Sequence, residues 1–238
     1  MRIDVLALPQ SNSNWDWVDK KVVVLDILRA TSSTVTALGN KAIEVIPVVE
    51  PGEAIELVKS LGARECVVGG ERKGLKIEGF ELGNSPAEYG ESKVAGKKVI
   101  LCTTNGTKAI KNFQGAAEVL IGSFLNVQTI ADYVKEGGMH LVLVCSGRDQ
   151  HLCLEDLACA GLIVKLLEEA GVVIEWTDSA KLAYFVWEKA APDLEAFIRQ
   201  TEHGRYLSEI GLGGDIPDCL ALNKFPLLPR YVNGKVAI

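Results

Sequence analysis

Residues 22–33 read Val22-Val23-Val24-Leu25-Asp26-Ile27-Leu28-Arg29-Ala30-Thr31-Ser32-Ser33. Four aliphatic side chains in unbroken succession fit a strand that is covered on both faces, as strands are in a largely parallel sheet. A strand is therefore expected over Val22–Ile27, with Ser32–Leu38 as the helix that follows it. Around the junction of the two stand an acid, Asp26, an arginine, Arg29, and three hydroxyls, Thr31, Ser32 and Ser33. In open α/β sheets ligands bind in the crevice at the carboxyl ends of strands, which is where Asp26, Arg29 and Thr31 fall.

The same succession recurs along the chain. Ile43–Val49, Glu65–Val68, Lys98–Cys102, Val119–Ile121 and His140–Cys145 read as further buried strands. Pro51–Leu61, Thr107–Phe113, Val127–Lys135 and Leu154–Ala170 read as helices between them. Gly62 and Gly171 follow two of these helices, where a left-handed cap is expected. Alternating strands and helices imply a layered α/β domain. Beyond Val172 the pattern changes. Asp178–Glu188 and Pro192–Gln200 read as helices bearing Tyr184, Phe185, Trp187 and Phe197, and they are expected to form a C-terminal helical cover. Glycine and proline punctuate the tail. There is no repeat, low-complexity segment or linker, so one domain over residues 1–238 is expected, with the cover starting at about 172.

The bulk composition narrows the function classes. No apolar run approaches the ~20 residues of a membrane span, and Met1-Arg2-Ile3-Asp4-Val5 lacks the apolar core of a signal peptide. A cytoplasmic protein with no membrane partner is expected. The formal net charge of −6 argues against nucleic acid as a partner. It leaves room for a small anion, because a local group of arginines can reverse the sign inside one cleft. Six cysteines include no C-x-x-C pair and mostly sit in apolar runs, as reduced core thiols do. A homodimer is the default expectation for such a chain.

Five predicted strands run into polar clusters. After Asp26 and Arg29 come Gly70-Glu71-Arg72, Thr103-Thr104-Asn105-Gly106-Thr107, Gly122-Ser123-Phe124-Leu125-Asn126 and Ser146-Gly147-Arg148, the last followed by Glu155-Asp156. Singly, such residues are what turns and helix caps require. Together they place Arg29, Arg72 and Arg148 at one rim if the strands are parallel, and guanidinium groups bind phosphate, carboxylate and sulfonate in bidentate fashion. Helix starts near Ser32 and Thr107 would add backbone N–H donors. Acids mixed with arginines suit a hard cation that bridges enzyme and phosphate, and Mg²⁺ is such a cation. The competing reading of Glu155 and Asp156 is an acidic pair favoured by a helix dipole. An acid directly after Val22-Val23-Val24-Leu25, by contrast, would be costly without a partner.

The expected site has three parts. Asp26, Glu71 and Asn105 are the catalytic candidates. Arg29, Thr31, Arg72, Thr104, Ser146 and Arg148 would bind the substrate. Asp26, Glu71, Glu155 and Asp156 would hold the metal. Other phosphate chemistries lack their motifs: there is no P-loop, no G-x-S-x-G and no second acid at the D-x-D spacing after Asp26. Cys66 and Arg72 have the C-x5-R spacing of cysteine-dependent phosphatases, but Cys66 opens a strand, whereas a nucleophile would lie in the loop after one.

Five stretches in this order resemble the 2-phosphosulfolactate phosphatase family. They are Asp26–Thr34, Gly70-Glu71-Arg72, Gly79-Phe80 with Gly83-Asn84-Ser85-Pro86, Thr103–Thr107, and Cys145–Arg148 with Glu155-Asp156; Asp215 and Cys219 fit the family's C-terminal end. The resemblance implies a three-layer α/β/α fold with a largely parallel or mixed sheet (ComB-like) and a Mg²⁺-dependent phosphatase. The implied reaction removes phosphate from 2-phospho-3-sulfolactate, a step toward coenzyme M. Two alternatives stand beside it: a phosphatase of the same mechanism acting on another small phosphorylated acid, and a non-catalytic module that binds an anionic metabolite.

Overall fold

The structure is a computed structural model that describes residues 1–9, 16–113 and 115–238. The strands are β1 (Arg2–Leu6), β2 (Lys20–Leu25), β3 (Glu44–Val48), β4 (Cys66–Arg72), β5 (Leu75–Lys76), β6 (Lys98–Cys102), β7 (Glu118–Gly122), β8 (His140–Cys145), β9 (Glu175–Trp176), β10 (Arg230–Val232) and β11 (Lys235–Ala237). The helices are α1 (Ala30–Gly39), α2 (Pro51–Leu61), α3 (Glu91–Val94), α4 (Gly106–Asn112), α5 (Val127–Val134), α6 (Leu154–Glu169), α7 (Asp178–Ala190), α8 (Leu194–Arg199), α9 (Glu202–Glu209) and α10 (Asp215–Leu220).

The apolar run in β2 is buried on both sides because successive strand residues face opposite ways. Val22 and Val24 join Val35 and Leu38 of α1 and Ile110 of α4 in one core. Val23 and Leu25 join Ile130 of α5 and Leu157 and Ile163 of α6 in the other. A third, smaller core lies under α2, around Val48, Cys66 and Ile100. Helices thus cover both faces of a mixed, largely parallel sheet, the α/β architecture expected from the sequence.

The strand order is β5-β4-β6-β3-β11-β10-β7-β2-β8-β1-β9. β4, β6 and β3 run parallel to one another, and so do β7, β2, β8, β1 and β9. The β10–β11 hairpin joins these blocks by three antiparallel pairings, so the blocks run in opposite directions. Neighbouring strands twist by roughly 20–25°. Accumulated over the strands between β6 and β2, that twist allows carboxyl ends from both blocks to face one place.

Most expected elements lie within a residue or two of their predicted bounds, and Pro51–Leu61 and His140–Cys145 coincide with α2 and β8. β4 extends four residues beyond Val68, so Glu71 and Arg72 belong to the strand. Pro192–Gln200 divides into a 3₁₀ turn and α8. β1 has no counterpart in the expected elements because Arg2 and Asp4 alternate with buried Ile3 and Val5 in a run too short to show its period. The β10–β11 hairpin was also unexpected, although Asn233-Gly234, both at positive φ, is the sequence signature of a tight hairpin turn.

α6 and α7 approach closely at Gly161. A β-carbon there would overlap the carbonyl oxygen of Ala183 and lie 2.7 Å from Cβ of Trp187. Relief would need a backbone shift between two packed helices. Gly161→Ala should therefore lower the unfolding free energy by ~1–3 kcal/mol, read from the urea midpoint at unchanged m-value; an unchanged midpoint would show that the helices can part freely.

Candidate active site

The carboxyl ends of β2, β4, β6 and β8 meet at a cavity of about 520 Å³. Its lining includes Asp26, Arg29, Glu71, Arg72, Thr104, Asn105 and Arg148. It also includes Lys73, Asn84, Thr103 and Asp149, with His203, Tyr206 and Leu207 of α9 as a roof. Four cationic side chains (Arg29, Arg72, Lys73, Arg148) face three acids (Asp26, Glu71, Asp149), so the cavity counters the negative charge of the chain as a whole.

Asp26 leaves β2 into the junction of two helix starts. Its Oδ1 accepts a hydrogen bond from the Ala30 amide at 3.1 Å, the first residue of α1. A β-carbon on Gly106, the first residue of α4, would lie 2.5 Å from Asp26 Oδ2 and 2.5 Å from Ala30 Cβ. Only glycine lets the two helix starts and the carboxylate come together. Burial pushes the Asp26 carboxyl up to about 6; Glu71 and Glu155 add to the rise, while the Ala30 amide and His203 oppose it. Thr31 lies beneath this carboxylate. Its hydroxyl accepts from the Asp26 amide at 3.0 Å and donates to the Asp26 carbonyl at 2.9 Å, so it shapes the turn.

Glu71 closes the tight β4–β5 hairpin. Its Oε2 accepts from the Gly74 amide at 2.8 Å and its Oε1 from the Thr104 amide at 2.7 Å. Each oxygen keeps a second lone pair, and the carboxylate is fixed on the cavity wall. The three predicted arginines share the cavity but differ in their freedom. Arg29 is 3% exposed. It donates to Asp215 Oδ2 at 2.5 Å and to the Gly74 carbonyl at 2.6 Å, and Ser85 donates to the other Asp215 oxygen. Arg72 donates to the carbonyls of Val49 and Glu71. Arg148 lies over the Tyr206 ring at 4.0 Å, and its Nη1 is buried without a hydrogen-bond partner among the described residues. Thr104 Oγ1 and Asn84 Oδ1 on the wall are likewise buried and unpartnered, as is Ser146 Oγ, which is not part of the lining. Buried polar atoms of this kind call for an explanation, and a polar ligand supplies one.

Glu155 and Asp156 sit behind the wall. Asp156 accepts from the Ile27 and Gly147 amides and thereby pins the turns after β2 and β8. Burial, then Glu155 and Asp26, push its carboxyl well above the ordinary range. Glu155 is paired with His203 of α9 at 2.9 Å. Cys66 lies at the other end of β4 from Arg72, about 20 Å away at ~3.3 Å per residue, which removes the C-x5-R reading. All six cysteines are buried and free.

A family model described as 2-phosphosulpholactate phosphatase matches residues 7–234. The chain belongs to the 2-phosphosulfolactate phosphatase family. Curated relatives carry the name "Probable 2-phosphosulfolactate phosphatase". One from Clostridium acetobutylicum is 38% identical over 236 residues, 99% of this chain and 100% of its own. One from Caldanaerobacter subterraneus subsp. tengcongensis is 42% identical over 221 residues, 93% and 91% of the two chains. One from Carboxydothermus hydrogenoformans is 40% identical over 230 residues, 97% and 93% of the two chains. Membership in the 2-phosphosulfolactate phosphatase family makes the protein a phosphoric monoester hydrolase, and the cavity is its candidate active site. No helix among the described residues is long and apolar enough to cross a membrane.

The roof residues His203 and Tyr206 and the hairpin residue Lys73 were not among the sequence candidates. Thr201 carried a signal for α9, since its hydroxyl accepts from the Gly204 amide as an N-cap, but nothing in the spacing says where the helix docks. Tyr206 docks it by donating to the Lys73 carbonyl at 2.8 Å. The burial of Arg29 gives a contrast to test. Removing one partner of a buried ion pair typically costs ~3–5 kcal/mol. Arg29→Ala should lose stability on that scale by chemical denaturation, while Arg148→Ala, at the cavity surface, stays within ~1 kcal/mol of the parent. Equal stabilities would show that Asp215 finds another partner.

Proposed function

We propose that this family member hydrolyses 2-phospho-3-sulfolactate to 3-sulfolactate and phosphate with the help of Mg²⁺, the reaction type of coenzyme M biosynthesis. The observation that carries this reading is the composition of one small cavity: cationic side chains for an anion stand against a set of oxygen donors for a hard cation. The substrate carries phosphate, carboxylate and sulfonate on three carbons. Arg148, with an unpaired Nη1 on its guanidinium among the described residues, Lys73 and Arg72 are the groups that would share these charges, with Thr104 as a hydroxyl donor on the wall. Arg29 would contribute field rather than a free fork, because Asp215 and Gly74 hold its donors.

The donors on the wall fit Mg²⁺. Asp26, Glu71 and Asn84 Oδ1 are all oxygens, and the last has no partner among the described residues. Mg²⁺ takes oxygen ligands and often a substrate phosphate. Asp26 and Glu71 would hold it, with Glu155 and Asp156 behind them adding negative charge. When bound, the ion neutralises phosphate charge and lowers the pKa of a coordinated water. The chain's own residues do the rest: Asn105, at the start of α4, would orient the attacking water, and the roof of α9 would limit access of bulk water. An in-line displacement needs little more from the protein than this positioning.

Two outcomes test the reading. Phosphate release from 2-phospho-3-sulfolactate should vanish on exhaustive chelation and return with Mg²⁺; full turnover in the chelated enzyme would remove the metal from the mechanism. Asp26→Asn keeps an oxygen for the Ala30 amide, so the variant should fold. Its kcat should fall by a hundredfold or more, about 2.7 kcal/mol of transition-state stabilisation. Near-normal turnover would leave Asp26 with its capping role alone.

A further inference from the structure

One group of side chains near the cavity has donors of a different kind. Cys153 immediately precedes α6, Glu155 lies in its first turn, and His203 lies on α9, 48 residues later in the chain. One ligand atom from each lies within 4.8 Å of the other two. Glu155 is 1% exposed at its side chain, and its Oε2 has no hydrogen bond of ordinary geometry among the described residues, the weakly donating Cys153 thiol being the group that stands beside the carboxylate. A buried carboxylate oxygen of that kind needs a donor or a cation. Of the three residues only His203 reaches the cavity lining, so the group lies one side chain behind the wall.

We propose that Cys153, Glu155 and His203 form a binding site for a borderline divalent transition-metal ion of the Zn²⁺ type, separate from the hard-cation position at Asp26 and Glu71. Thiolate, imidazole and carboxylate are the donors Zn²⁺ takes, at about 2.0–2.3 Å, with three protein ligands and one open position. Mg²⁺ demands octahedral oxygen ligation and does not suit this set. Bonds of that length place tetrahedral ligands roughly 3.3–3.8 Å apart; the separations here are at most 4.8 Å, so a pair closes by no more than ~1.5 Å, within reach of rotamer adjustment, while the 2.9 Å His203–Glu155 contact opens by a few tenths of an ångström.

The charges balance. An ordinary cysteine thiol carries its proton at neutral pH. Metal binding releases that proton to solvent and forms the S–metal bond. One thiolate and one carboxylate then neutralise the two positive charges, and the neutral His203 ring gives a lone pair. Water completes the coordination. The site joins α6 to α9, and α9 carries the roof residues His203, Tyr206 and Leu207. A bound ion therefore fastens the roof to the helix layer beneath it.

The test uses the full chain, stripped of metal, and no substrate, so it stands or falls apart from the phosphatase reading. Titration with Co²⁺ should produce a near-ultraviolet thiolate-to-metal charge-transfer band that saturates at one equivalent and disappears when Zn²⁺ is added. Zn²⁺ should raise Tm, as any ligand selective for the native state does, and Mg²⁺ at the same concentration should not reproduce the rise. Cys153→Ser should lose the band and weaken Zn²⁺ binding at least tenfold. His203→Gln, at a partly exposed position on α9, should lose the Zn²⁺-dependent rise in Tm. The site is overturned if wild-type protein gives no band, if the band persists in folded Cys153→Ser, or if the Tm rise survives both substitutions.

Discussion

Five carboxylates, Asp26, Glu71, Glu155, Asp156 and Asp215, are buried at the junction of β2, β4, α6 and α10. Taking an ion out of water costs several kcal/mol unless something compensates for it, and the local structure can be read as a set of such compensations. Asp215 has Arg29 and Ser85. Glu71 and Asp156 each have two backbone amides. Glu155 has His203. Asp26 has least: one amide, a helix start on either side and a carboxyl raised to about 6. Of the two buried carboxylates on the cavity wall, Asp26 and Glu71, it is Asp26, at the end of the fully buried β2, that has the fewer hydrogen bonds.

Compensation through backbone amides has a structural consequence. An Asp156 side chain that binds the turns after β2 and β8, and a Glu71 side chain that binds the turns after β4 and β6, make the loops of the site parts of one network. The clusters that carry Asp26, Glu71, Thr104 and Arg148 are held in register by carboxylates whose positions in sequence gave no hint of that work. Loops positioned in this way stay ordered without regular structure of their own, which pre-organises a site.

Much of this was legible before the structure. A fully apolar strand betrays itself because both its faces are covered, and β2 and β8 are read directly from their composition. The clusters at the ends of β2, β4, β6 and β8 were legible for the same reason: a polar residue placed right after such a run must have a task. What stayed hidden depends on contacts distant in sequence. An arginine that pairs with Asp215, 186 residues away, looks the same in sequence as one that awaits a ligand. His203 and Tyr206 lie on a short polar helix whose role is set by docking through Tyr206 onto the Lys73 carbonyl. Neither periodicity nor spacing encodes that contact.

The central hairpin carries a further implication, for biosynthesis. β3 and β7 meet only through β10 and β11, which lie at residues 230–232 and 235–237. A ribosome that makes this chain has delivered every strand of both parallel blocks before the residues that connect them emerge. From the emergence of β7, at residues 118–122, until the hairpin follows, each block carries an inner edge with open backbone groups, the kind of edge that pairs with whatever strand it meets. Closing the sheet is therefore a late, long-range event, which places the period of greatest exposure to aggregation before those last two strands are in place.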